Sequence, residues 1–487
     1  MGLAPLLTPT ARHCRDAAVI LRGEFPDPTV LRDGSDFYMT HSNDDVFAPT
    51  LLLWHSTDLY HWTPVGPALE NFSFAIAAPE MVKHKNTYYI YFPARRSIFV
   101  MTAQHPEGPW SEPCDMKVPG FDPGHVVTPD GKRYLYFSGG RVVPLSDDGL
   151  SVTGKIFSTY NGWKFPNDWN VECFCLESPK FTFHDGYYYM TSAEGGTTGP
   201  STSHMAVSAR SRSPLGPWEN SPYNPIVHTG SAREAWWSKG HGTLIDDGKG
   251  HWYIVYHAYE NDHRELGRQT LIEPVEWDKA GWFHSSAPSG VDFHPKIIDN
   301  YTVHSDDFCK PTLGLQWSFG GNPFPLQYVL ESGSVKVKGS AGGLATMHCR
   351  PSDPDYEAVF RLEGTNEAEI GILLLYRSDN ALCAGIGKKG DRVFSLRRGS
   401  PTSGIAGTEN VRYFRIRVKD HDLAVSYSSD GIHWKYHPEG SSIYGYDESV
   451  LGGYASLKIA AYIKGEGRLT IQDFKYHPLN SSGNDVV

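Results

Sequence analysis

At 487 residues the chain exceeds one ordinary hydrophobic core, so two domains are expected. Aromatics at 13%, with 49 Gly and 34 Pro, suit many short strands joined by tight turns and point to an all-β protein. A net charge of −11 without basic runs argues against nucleic acid or an anionic membrane as the main partner, whereas a neutral carbohydrate surface is compatible with it.

Residues Met1 to Thr10 lack a charged start followed by a long apolar core, so no signal peptide is expected and the compartment stays open. No run approaches the length of a membrane helix. The seven cysteines are scattered and show no metal-site spacing; Cys173 and Cys175 read as alternate positions on one strand. Nothing in the sequence fixes the oligomeric state.

The segment Gly23-Glu24-Phe25-Pro26-Asp27-Pro28 holds an aspartate between two prolines. Proline fixes its own φ and pushes the preceding residue toward extended backbone, so the direction of Asp27 is set before any tertiary contact forms. Downstream, an aromatic β run recurs five times: Asp36–Thr40, Thr87–Phe92, Tyr134–Ser138, Tyr187–Thr191 and Trp252–Tyr256. Each follows a turn signal, such as Asp33-Gly34, Asp130-Gly131 or Asp185-Gly186. The spacing of about 50 residues and the absence of 3.6-residue periodicity predict a five-bladed β-propeller over residues 15–300. A Pro-, Lys- and Asn-containing stretch from Phe293 to Ser305 reads as a linker. Beyond it the repeat vanishes and ordinary strand alternation predicts a β-sandwich of concanavalin or jelly-roll type over residues 305–480.

Blades begin beside the central channel, so residues at equivalent offsets converge there. Counting back from the aromatic runs, Asp27, Glu80, Asp122, Glu177 and His241 occupy such positions. Converging carboxylates raise the pKa of at least one of them, and an acid facing an ionised base is what glycoside hydrolysis requires.

At these residues the sequence resembles glycoside hydrolase family 43, the β-xylosidase and α-L-arabinofuranosidase group. The matching stretches are Phe25-Pro26-Asp27-Pro28, Ala78-Pro79-Glu80, Gly120-Phe121-Asp122-Pro123, Glu177-Ser178-Pro179, Ala193-Glu194-Gly195-Gly196-Thr197, Lys239-Gly240-His241-Gly242 and Leu266-Gly267-Arg268-Gln269-Thr270. The second domain, with Asp306-Asp307-Phe308 and Leu313–Trp317, resembles the sandwich that follows the propeller in xylosidase-like members.

The resemblance implies an exo-acting hydrolase that releases xylose or L-arabinofuranose from xylan- or arabinoxylan-type oligosaccharides with inversion. It implies Asp27 as general base, Glu177 as general acid and Asp122 as the residue that tunes and orients the acid. Base and acid would stand roughly 6.5–9.5 Å apart to admit water. Arg268 would bind sugar hydroxyls, and His241 would lie near a calcium ion through waters. No cofactor is expected for the chemistry. Phe25, Phe47, Trp236 and Trp237 are candidate sugar platforms, and Glu80 a candidate substrate-binding or structural residue.

Two alternatives stay open, a retaining fructoside hydrolase on a related propeller and a non-catalytic carbohydrate-binding propeller. Phe25-Pro26-Asp27-Pro28 departs from the Asn-Asp-Pro-Asn-like motif of the first, and the pair Asp27 and Glu177 counts against the second. Sialidase is disfavoured, because Ser428–Trp434 is one residue short of its box motif and lies outside the propeller.

Overall fold

The computed structural model describes residues 16–479 apart from 44, 301–302, 322–325, 366 and 378–382. The leader reading of residues 1–10, together with Cys14, falls outside them.

Four sheets follow the repeat directly. Blade I consists of Thr29–Asp33, Asp36–Thr40, Thr50–Ser56 and Thr63–Leu69, and blade II of Glu80–His84, Thr87–Ala94, Ser97–Ala103 and Cys114–Val118. Blade III consists of Gly124–Val127, Arg133–Phe137, Arg141–Pro144 and Phe157–Ser158. Blade IV is built on Glu177–His184, Tyr187–Glu194 and Met205–Ser211, with the short strands Glu219–Asn220 and Val227–His228 both pairing the last of these. Each aromatic run is the second strand of its blade. It pairs antiparallel with the strand before it through a tight turn, as where Asp185 and Gly186 both take left-handed φ of 45° and 79°.

Blade V is composite. Trp236–Asp246, Trp252–Glu260 and Arg268–Trp277 come from the end of the repeat, and the next strand is Ala18–Leu21 from the start of the chain, with Ala18 opposite Ile272. All four residues of that strand are wholly buried. The first strands of the blades touch in the cyclic order I–II–III–IV–V–I, which closes the ring with five blades around one axis. Lys296–Ile297 then pairs parallel to Ala18–Leu21, and the Asn300 side chain bonds Ile20 O at 2.7 Å and accepts from Trp62 N at 3.0 Å. The stretch read as a linker is thus anchored to the propeller.

The remaining chain forms two facing antiparallel sheets. One runs in the order Ser400–Pro401, Arg392–Arg397, Cys383–Lys389, Glu369–Leu375, Lys458–Lys464, Leu344–Cys349, Ser318–Gly321, and its outer neighbour is Phe47–Ala48 from blade I. The other is built on Tyr328–Glu331, Ser334–Gly339, Gly467–Pro478, Tyr356–Gly364, Tyr413–Lys419 and Asp422–Ser428. One apolar core runs from Trp317, Phe360 and Phe474 between these sheets to Phe25, Trp54 and Trp62 of the propeller. Among the described residues the only α-helix is the single turn Glu448–Leu451.

Cys173 and Cys175 correct the sequence reading. They lie in the irregular segment that leads into Glu177–His184, Cys175 has φ 39°, and their sulfurs are joined. Strand alternation does not apply to them, because the backbone there is irregular and their Cα atoms stand 5.3 Å apart, closer than the roughly 6.6 Å of alternate strand positions.

Candidate active site

Asp27 precedes the first strand of blade I, is 5% exposed, and holds a left-handed φ of 56°. A non-glycine residue in that region carries strain of order 1–3 kcal/mol that its surroundings must hold. Here they do. The Ser42 hydroxyl donates to Oδ2, and Ser42 Oγ also accepts from Ala78 N at 2.5 Å. His257 Nδ1 and His241 Nδ1 lie 3.0 and 3.2 Å from Oδ1, and the Asp27 amide donates to His257 Nδ1 at 3.2 Å. Arg268 Nη1 stands 3.7 Å from Oδ2. Burial alone would raise the pKa of Asp27, but His241, Arg268 and His257 outweigh it and hold the carboxyl well below its usual range.

Glu177 opens the first strand of blade IV, and Asp122 stands two residues before the first strand of blade III with φ 54°. The ligand atoms of Asp122, Glu177 and His241 lie within 4.8 Å of one another. Burial, followed by the negative charges of Asp122 and Asp27, pushes the Glu177 carboxyl well above its usual range. The Asp27 and Glu177 carboxyls are therefore driven in opposite directions by their surroundings. That separation is the signature of an acid and a base assigned by environment.

Arg268 begins the third strand of blade V and is 2% exposed. Glu24 Oε1 accepts from its Nε at 3.1 Å and Nη2 at 3.0 Å, and Glu24 Oε2 accepts from its amide at 2.7 Å. Glu448 of the sandwich approaches Nε at 3.8 Å, and the Tyr454 ring lies 5.7 Å from the guanidinium carbon. The guanidinium is thus oriented by Glu24, with Nη1 turned toward Asp27.

His241 has φ 60° in a bulged part of Trp236–Asp246. With His204 and His257 it brings three ring nitrogens within 4.8 Å of one another, all buried. Burial pushes His241 and His257 down and His204 to about 3.

The other sequence candidates are placed differently. Glu80 is locked in a buried ion pair with Lys180 Nζ at 2.6 Å and accepts from Thr29 Oγ1 at 3.2 Å, which ties the inner strands of blades I, II and IV together. Trp236 is 4% exposed within the apolar core of blade V, so it is packing rather than platform. Trp237 is half-buried beneath the Arg264 guanidinium, 4.9 Å from the ring centre. Phe25 is fully buried, edge-on to His41 and Trp54 at 4.8 and 5.4 Å. Phe47 stands edge-on to His348 of the sandwich at 4.8 Å. Both phenylalanines line a cavity of about 390 Å³ between propeller and sandwich.

Sequence reasoning missed His257, His204, Ser42, Glu24, Glu448 and Tyr454. His257 sits inside the strand Trp252–Glu260 and His204 just before Met205–Ser211, neither at the offset that flagged His241. Glu448 and Tyr454 arrive from another domain, which a repeat search within the propeller does not reach.

The ring of blades is a five-bladed propeller whose channel gathers carboxyls and imidazoles. The family model for glycosyl hydrolases family 43 matches residues 17–283, and that for the β-xylosidase C-terminal concanavalin A-like domain matches 305–477. The chain belongs to glycosyl hydrolases family 43. Among curated relatives it is similar to a non-reducing end α-L-arabinofuranosidase, BoGH43B, of Bacteroides ovatus, with 32% identity over 67% of this chain and 65% of that protein. It also resembles a xylan 1,3-β-xylosidase of a Vibrio species, with 30% identity over 61% of this chain and 63% of that protein. The matched regions thus span just under two thirds of these relatives. Among solved structures, the GH43 protein BlXynB of Bacillus licheniformis superposes with a TM-score of 0.79 at 24% identity, over 94% of this chain and 99% of that one. A xylan β-1,4-xylosidase of Bacillus halodurans gives 0.81 at 22%, over 95% and 100%. At these identities the superpositions speak for the fold.

Proposed function

We propose that the protein is an exo-acting glycoside hydrolase that releases terminal xylose or L-arabinofuranose from xylan- or arabinoxylan-derived oligosaccharides by a single inverting displacement. The observation that carries this is the contrast in the surroundings of two buried carboxyls, Asp27 facing Arg268, His241 and His257 while Glu177 faces Asp122. Asp27, held ionised, takes a proton from the water that attacks the anomeric carbon. Glu177, held protonated, donates to the departing glycosidic oxygen, which is otherwise too basic to leave. Asp122 keeps Glu177 protonated by like-charge repulsion. Arg268 Nη1 stands beside Asp27, where it can reach a hydroxyl of the bound sugar.

The relatives named as arabinofuranosidase and xylosidase support the substrate class, and a neutral sugar suits a site whose charges are already paired internally. Among the described residues no helix is long and apolar enough to cross a membrane. The residues around His241 do not make a direct calcium site. They offer imidazole nitrogens and the carboxyls used in the chemistry, whereas calcium takes six to eight oxygen ligands. No step is assigned to a cation.

The test uses nitrophenyl xyloside and arabinofuranoside. Asp27→Ala on these substrates, and Glu177→Ala on xylo-oligosaccharides with an unactivated leaving group, should each lower kcat/KM by about 10²–10⁴-fold, the range for loss of a general acid or base. Glu177→Ala should be partly spared when the leaving group is activated. Proton NMR should show the inverted sugar first. An unaffected rate in either variant, or a retained first product, would overturn the assignment.

A further inference from the structure

Away from the channel, Asn261–Leu266 forms a 3₁₀ turn between the second and third strands of blade V, and it carries His263 and Glu265. It faces the turn of the sandwich hairpin Tyr413–Lys419/Asp422–Ser428, which carries His421. His263 Nδ1 lies 3.5 Å and His421 Nδ1 3.4 Å from the same atom, Glu265 Oε1. Each of the three residues brings one ligand atom within 4.8 Å of the other two. The two Nδ1 atoms and Oε1 are buried without a hydrogen-bond partner, and Glu265 as a residue is only 7% exposed.

We propose that His263, Glu265 and His421 bind a divalent first-row transition ion, zinc foremost, that clasps the sandwich to the propeller.

The distances favour an ion over direct bonds. Charge-assisted N–H···O contacts run at about 2.7–2.9 Å, well short of these separations. Two ligands each about 2.0–2.1 Å from a tetrahedral zinc stand about 3.3–3.4 Å apart, close to both. Two imidazoles and one carboxylate suit zinc, cobalt or nickel, whereas calcium would ask for more oxygens. The rings keep 25% and 21% side-chain exposure, which leaves a path for the ion and a position for water. His421 also occupies a costly place. It and Asp420 both take left-handed φ, 66° and 46°, and the second position of such a turn normally goes to glycine.

The competing state is two imidazolium ions sharing the Glu265 carboxylate. Glu265 raises the pKa of both histidines, with Glu260 adding to His263 and Asp262 and Asp355 to His421, while the two rings oppose each other. Protons and metal therefore compete, and the measurement belongs at pH 7.5.

The full-length protein, stripped with a chelator and dialysed against zinc chloride, is compared with His421→Gly. Glycine suits the turn, so this variant should fold, and Glu265→Gln serves as a second probe. Wild type should carry about one more zinc per chain by elemental analysis than either variant. Its zinc-dependent rise in melting temperature should be lost in both. Equal zinc content and equal thermal response in wild type and His421→Gly, including none in either, would overturn the proposal.

Discussion

Asp27, Asp122 and His241 share a backbone state that side chains avoid, with φ of 56°, 54° and 60°. Such strain collects where geometry is held for chemistry, and all three lie on the channel axis. The proline bracket singled out Asp27 in the sequence but implied extended backbone there, whereas φ is 56°; nothing local announced the strain at any of the three. Asp122 also carries a test. Replacing it with asparagine removes a negative charge beside Glu177, so Glu177 should lose its proton at lower pH. The alkaline limb of the kcat/KM profile for Asp122→Asn should shift downward, with lowered kcat. An unmoved limb would show that Asp122 does not set the acid. Glu194 offers a stability test. It is buried, Oε1 accepts from Trp163 N at 2.6 Å, Oε2 has no partner, and burial lifts its pKa from 4.5 to about 8. The folded state therefore binds more protons than the unfolded one between those values, and stability falls as pH rises through that window, by up to roughly 1.4 kcal/mol per pH unit. Glu194→Gln should flatten the decline in melting temperature between pH 5 and pH 8.

At the scale of elements, the five aromatic strands were readable because each is a long β-favouring run behind a turn signal. The ring closure was not. Ala18-Val19-Ile20-Leu21 is a short apolar run with no local partner, and its pairing with Arg268–Trp277 spans about 250 residues that no periodicity encodes. Ile20 is fully buried in this strand. Ile20→Ala should destabilise the protein by roughly 2–5 kcal/mol in denaturant titrations, as for a central core residue. A loss below about 1 kcal/mol would mean that the closing strand is dispensable. Trp236 shows the opposite error: its motif reads as a sugar platform, but its side chain fills the core, while Glu80, read as structural or substrate-binding, pairs with Lys180.

Across the whole molecule, the sandwich meets the site. Tyr259 donates to Glu448, Arg264 Nη2 lies 3.4 Å from Asp447, Lys458 Nζ lies 3.6 Å from Asp45, and Arg350 Nη2 donates to Asn43 Oδ1 at 3.3 Å. Tyr454 projects from this contact, about half exposed, and the carboxyls of Glu448 and Glu177 add to the burial that pushes its pKa to about 12. An exposed ring close enough to Glu177 to feel its charge offers a stacking face for a sugar. Tyr454→Ala should raise KM several-fold on oligosaccharides with a smaller change in kcat, and an unchanged KM would limit Tyr454 to a structural part.

The two-residue strand Phe47–Ala48 has a practical consequence for anyone recombining modules. A cut in the stretch before residue 305 looks clean in the sequence, yet it would strip Ser318–Gly321 of its outer neighbour and leave a bare row of amides and carbonyls. Such an edge recruits other chains. A sandwich transplanted without its borrowed strand should therefore self-associate, and a chimera keeps its solubility only if the graft carries residues 47–48 or a substitute cap.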